Sequence, residues 1–181
     1  MSERIWAGWR MAYIRQAAAG HPSGGETCLF CRVAAVAASV ETLVLEQYPH
    51  CLVMLNAFPY TSGHLMVAPR RHEESLMGGS PEERAEVLAA VERARRALAR
   101  EYRPDGFNMG ANLGRAAGAG VLGHLHWHVV PRWVGDTNFM PTLADARVLP
   151  EALTETYGRL LRALAEEPLE GLTLSERGHV P

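Results

Sequence analysis

Apolar residues recur along this chain in two rhythms, and the rhythms lay out most of its elements. Residues 42–46, 51–56 and 64–68 are three short β-like runs. They are parted by Gln47, Tyr48 and Pro49 and by Pro59, Tyr60, Thr61, Ser62 and Gly63, both of turn composition. The period then becomes helical, with Val87, Val91, Ala94 and Leu98 on one stripe. Ser80 as N-cap, Pro81 at the first helical position and Glu83 at the third predict where this helix starts, and it should run to about residue 103. Residues 107–113 read as a fourth strand and the histidine-bearing stretch 123–132 as a fifth. At the N-terminus, Ile5, Trp6, Trp9 and Tyr13 are spaced for an amphipathic helix over 3–18, followed by a turn-rich linker over 20–25. Its two tryptophans need burial, on the domain or on a second subunit. Residues 150–166 predict a final helix, and roughly the last dozen residues read as loosely ordered. The order α, then β-β-β-α-β-β, then α predicts an α+β domain around a mostly antiparallel sheet of about five strands with one long helix. The expected division is an N-terminal helical extension and linker over 1–25, the domain over 26–140 and a C-terminal extension over 141–181.

Composition narrows the class without naming a chemistry. The chain has 181 residues, enough for one domain with extensions and a substantial core. A formal charge of -2 gives no electrostatic case for a nucleic-acid or membrane partner, so positive potential at any anion site must be local. No run has the length of a transmembrane helix, and the start Met1, Ser2, Glu3, Arg4 lacks an apolar signal core. Three cysteines do not suggest a disulfide framework, and the expected compartment is the cytoplasm.

Candidate chemistry is concentrated where His124, His126 and His128 alternate with Leu125, Trp127 and Val129. On a strand the three imidazoles would share one face and the apolar residues the other. Imidazole suits nucleophilic attack, proton transfer and metal ligation near neutral pH. A merely solvated face would more naturally draw Thr, Lys or Glu. Gly114, Gly118 and Gly120, in the loop just before this row, let backbone N–H groups approach an anion, and Asn112 and Arg115 would add donors and charge. The competing reading of that loop is a flexible connection. Cys28 and Cys31 have metal-ligand spacing but need two more ligands, for which His72 and His124 are the candidates. The competing reading is a pair of small buried hydrophobes, as for Cys51 in its apolar run.

The run His-Leu-His-Trp-His-Val-Val over residues 124–130 resembles the signature of the histidine triad superfamily of nucleotide hydrolases and transferases. The resemblance continues upstream through Asn56, Ala57, Phe58 and Pro59 and through residues 63–72, and spans roughly residues 28–140. Pro131, Arg132 and Trp133, the stretch 135–140 and the tryptophan-rich start over 6–14 are similar to one branch, the bacterial dinucleoside tetraphosphate phosphorylases and related hydrolases. The resemblance implies that His126 attacks an α-phosphorus to form a covalent nucleotidyl-histidine, and that His128 donates to phosphate or leaving-group oxygens. His124 would orient the triad or ligate structural zinc with Cys28, Cys31 and His72, and His64 would support the triad. Asn112 with Gly114, Arg115, Gly118, Gly120 and Val121 would cradle the phosphate, and Asn56 would hold ribose where many members carry Asp. Where many members have Gln and Ser before the triad, this chain has Gly120 and Val121, which speaks against a phosphoramidate substrate. The implied partners are a dinucleoside polyphosphate, water or inorganic phosphate as acceptor, and a second copy of the chain in a homodimer. Two readings from other classes remain: a non-catalytic nucleotide-binding module, and a metalloenzyme whose histidine row itself holds a catalytic metal.

Overall fold

The computed structural model describes residues 28–75, 77–136 and 151–175. The expected helix over 3–18, the linker over 20–25, the 137–140 part of the branch-like stretch, residue 150 and the closing residues 176–181 lie outside these. Among the described residues, five strands form one antiparallel sheet in the order β1-β2-β3-β5-β4. They are β1 (Val44–Gln47), β2 (Cys51–Leu55), β3 (Leu65–Pro69), β4 (Gly106–Ala111) and β5 (Trp127–Arg132). Three α-helices accompany them: α1 (Leu29–Ala34), α2 (Pro81–Tyr102) and α3 (Leu153–Ala165). No helix of the described residues is long and apolar enough to cross a membrane.

The sheet is covered on both faces, which is why β1 and β2 are buried at every position instead of alternating. Facing residues on neighbouring antiparallel strands share a side of the sheet. Val53, Val67 and Trp127 are aligned across β2, β3 and β5, and they face α2 and α3 with Leu98, Leu160 and Leu164. Met54, Met66 and His128 are aligned on the other side. There α1 packs Phe30, Val33 and Ala34 against Leu52, Met54 and Met66. Gln47 fixes α1 through Nε2 donated to the Val33 and Val36 carbonyls, at 3.2 and 2.7 Å, and Arg70 donates to Ala34 O at 2.9 Å.

The long helix starts as its sequence predicts. Ser80 and Glu83 form a reciprocal capping box with Pro81 inside the first turn. Arg103 ends the helix in a left-handed conformation, φ 47°. The buried Arg93 of α2 ion-pairs with Glu46 and donates to Tyr48 Oη at 2.9 Å and to the Leu164 carbonyl at 2.6 Å. One guanidinium thus joins β1, α2 and the end of α3, so α3 belongs to the same core as the sheet.

One sequence expectation is corrected. The histidine row is not all strand: β5 begins at Trp127, so of the three only His128 lies within it. The partner β3 runs out at Pro69, which has no N–H to extend a ladder. Upstream of Trp127 the Leu125 N–H goes to Glu73 O at 2.6 Å, and Gly123 takes a left-handed φ of 72°.

Candidate active site and metal site

Four histidines meet on the sheet side away from α2, and their partners assign each ring its protons. His64, immediately before β3, is fully buried. Its Nδ1 accepts the Tyr60 N–H at 3.1 Å, and its Nε2 lies 2.9 Å from His128 Nδ1. A ring nitrogen that accepts a backbone N–H bears no proton, so neutral His64 donates through Nε2 to His128 Nδ1. Neutral His128 therefore carries its proton on Nε2, which is buried and has no hydrogen-bond partner among the described residues. Burial, with the adjacent His126, pushes the His128 imidazole down to about 4, so the neutral form prevails at pH 7.

His126 and His128 meet edge-on, ring centroids 5.1 Å apart. His126 Nδ1 lies 2.9 Å from the His124 carbonyl, which can only accept. Its proton is therefore on Nδ1, and Nε2 presents a lone pair. Burial lowers the His126 imidazole from its ordinary value, keeping that lone pair free. The site thus holds a nitrogen lone pair on His126, oriented by the His124 carbonyl, beside an N–H donor on His128, oriented by the His64 ring.

His124 is turned elsewhere. Its Nε2–H donates to the Pro69 carbonyl at 2.8 Å, where β3 stops pairing. Its Nδ1 lone pair faces Cys28 Sγ at 3.2 Å and Cys31 Sγ at 3.6 Å. His72 Nδ1 stands 3.4 Å from Cys31 Sγ, and the ligand atoms of all four residues lie within 4.8 Å of one another. Tetrahedral zinc with Zn–S of about 2.3 Å and Zn–N of about 2.0 Å has ligand–ligand edges of roughly 3.5 Å. The donor set fits that ion in identity and spacing. Burial and the neighbouring Cys28 push the Cys31 thiol up to about 11, so a second thiolate here calls for a cation. Four protein ligands would leave a bound zinc no open position, the arrangement of structural rather than catalytic sites. Among the described residues the metal-ligand cluster is this one; the row of three histidines does not form another.

The phosphate-loop candidates are placed less tightly. Asn112 follows β4 directly, two residues beyond Gly110, the partner of His128. Arg115 opens a single 3₁₀ turn over Arg115–Ala117, flanked by Gly114 and Gly118 at φ of 77° and 85°. Open space lies beside both glycines, so backbone conformation rather than crowding calls for them. Gly118 N–H is spent within the loop on Arg115 O at 3.1 Å. Gly120 is half-buried, and Val121 packs against the cluster under α1. Asn56 accepts the Phe58 N–H at 2.9 Å and sets its amide nitrogen 3.4 Å from His64 Nδ1, so it shapes the loop that holds His64.

Three participants were not singled out from the sequence. Tyr60 supplies the N–H that fixes His64, and its ring lies 4.5 Å from that of His64 and 5.9 Å from that of His128. Phe30 wedges against His124 and His126 at 5.0 and 4.9 Å. The Pro69 carbonyl sets the His124 tautomer. A backbone atom leaves no mark in a side-chain pattern, but Phe30 within Cys28-Leu29-Phe30-Cys31 was readable as an anchor between two ligands.

Comparison with known proteins bears on the family and the fold. The model of the HIT domain matches residues 37–134, more than half of the chain. A Mycobacterium tuberculosis (strain H37Rv) protein named AP-4-A phosphorylase is 36% identical over 169 residues, covering 92% of this chain and 86% of that protein. The crystal structure of a zinc-bound histidine triad family protein from Mycobacterium smegmatis superposes with a TM-score of 0.62 at 32% identity, over 79% of this chain and 96% of that one. A HIT family member from Bacillus subtilis gives a TM-score of 0.52 at 31% identity, over 60% and 74%. On its family model, its relatives and its fold, the chain belongs to the HIT domain family.

Proposed function

We propose that the protein is a nucleotidyl transferase that cleaves dinucleoside polyphosphates through His126. The observation that carries this is the pairing of tautomers: a lone pair on His126 Nε2 beside an N–H on His128 Nε2. His126 Nε2 bonds to the α-phosphorus as the bond from phosphorus to the departing polyphosphate oxygen breaks. His128 Nε2–H donates to a non-bridging or departing oxygen, where negative charge accumulates. An acceptor oxygen then attacks the same phosphorus and frees His126. Two easy displacements replace a hard one. With diadenosine tetraphosphate the leaving group is ATP; inorganic phosphate as acceptor yields ADP, and water yields AMP. Likeness to a protein named AP-4-A phosphorylase favours phosphate.

In this reading Asn112, Gly114, Arg115, Gly118, Gly120 and Val121 face the phosphates and Asn56 the ribose. Cys28, Cys31, His72 and His124 would hold a zinc ion, which would supply a cross-link tying α1 to the sheet. We also infer a homodimer, since the edge strand β4 carries the exposed Met109 and is followed by the exposed Leu113. The deciding assay incubates the protein with diadenosine tetraphosphate, with and without inorganic phosphate, and separates the products. ADP and ATP formed only with phosphate is the expected result. AMP and ATP in both arms would assign water as acceptor, and no product would overturn the reading.

A further inference from the structure

Cys28 directly precedes α1 and Cys31 lies in its first turn, and two routes join these sulfurs to His126. His124 Nδ1 faces both sulfurs, at 3.2 and 3.6 Å, and the carbonyl of the same residue accepts His126 Nδ1–H at 2.9 Å. Phe30, between the cysteines in sequence, sets its ring 5.0 Å from that of His124 and 4.9 Å from that of His126. The pair is also reachable. Cys28 and His124 are buried, but Cys31 is half-buried and His72 is exposed, so the cluster opens to solvent at one corner. Cys51, by contrast, is fully buried in β2. The Cys28 and Cys31 sulfurs lie within 4.8 Å of each other, so a disulfide of about 2.05 Å would close between neighbours in one turn rather than between distant elements.

We propose that Cys28 and Cys31 are an oxidant-sensitive thiol pair, which a peroxide closes into a disulfide that frees His124 and disables His126. This rests on the nucleotidyl-transfer reading and the zinc set above. Zinc holds both sulfurs as thiolates, the form that reacts. The more accessible Cys31 sulfur attacks one peroxide oxygen and the O–O bond breaks, leaving a sulfenic acid and hydroxide. The Cys28 sulfur then attacks that of Cys31, the S–O bond breaks, and a second hydroxide leaves. Peroxide has gained two electrons, and the two sulfurs together have lost them. Disulfide sulfurs carry no charge to hold the ion, so it departs. His124 keeps its bond to the Pro69 carbonyl but loses the partner on Nδ1, while Phe30 shifts with the turn that carries it. A thiol or phosphine reductant reopens the pair.

The test treats the purified protein with hydrogen peroxide, reading zinc release with a chromogenic chelator and thiol state by peptide mass spectrometry. The expected result is a Cys28–Cys31 disulfide, zinc released in step with it, and turnover of diadenosine tetraphosphate lowered at least about tenfold. A phosphine with added zinc should restore all three, which separates the disulfide from methionine oxidation. Cys51→Ala should respond as the native protein does; a lost response would move the bond to Cys51 and overturn the proposal. Cys28 and Cys31 remaining thiols would overturn it too, as would a disulfide that leaves turnover unchanged. Protein that shows no turnover, or holds no zinc, before treatment fails those readings and not this one. In that case the imidazole ¹⁵N NMR signals of His124 and His126 should shift on oxidation and return on reduction, and unmoved signals overturn the switch.

Discussion

At the residue scale, the chemistry depends on which nitrogen of each imidazole holds the proton, and backbone groups decide it. The sequence alternation placed His126 and His128 side by side, but it treated three rings as equivalent. Their inequality comes from the Pro69 carbonyl, the His124 carbonyl and the Tyr60 N–H, none of which a side-chain pattern records. His126→Ala should lower turnover by at least about three orders of magnitude, and mass spectrometry should find the nucleotidylated species on the native protein but not on the variant. The depressed His128 imidazole sets a pH response. Unfolded His128 takes up a proton near its ordinary 6.5, whereas the folded protein resists it until about 4. Between those values the unfolded chain holds more protons, so stability falls as pH falls through that window; the lowered His124 and His126 add in the same direction. Urea unfolding at pH 7, 6 and 5 should show the midpoint dropping more steeply for native protein than for His128→Gln. Parallel slopes would count against a buried, neutral His128.

At the element scale, legibility followed how locally each element is specified. Residues 80–83 and the Val87 to Leu98 stripe announce α2, because caps and periodicity lie within a few residues of one another. The helix α1 went unforeseen. It has six residues and no side-chain cap, and it holds its place through distant partners: Gln47, Arg70 and the candidate ligands His72 and His124. Short helices of this kind owe their existence to tertiary contacts. Cys28→Ser should remove zinc from the purified protein by elemental analysis and lower its melting temperature. Metal retained in full would show that it sits elsewhere. Phe30→Ala, at a fully buried site, should cost about 3–5 kcal/mol in chemical denaturation and weaken catalysis as well, since the same ring braces His124 and His126.

At the scale of the whole molecule, the five-strand α+β architecture was readable because element order and short connections leave few topologies. The role of the C-terminal segment was not, since an amphipathic helix does not declare what it covers. Here α3 closes the core over β1 and α2, held by Arg93. Arg93→Ala leaves Glu46 buried without its partner and should cost about 3–5 kcal/mol, read by denaturant titration. The sheet order also bears on how the protein is made. β3 and β4 run parallel and are joined through α2 with one strand position left between them, and β5 fills it. On a ribosome, β5 emerges after both neighbours, so until it inserts the nascent chain has two open sheet edges and no assembled histidine pair. Such edges invite pairing between chains. The final insertion both silences that hazard and brings His128 against His64, so this protein gains its chemistry in the step by which it ceases to be prone to aggregate.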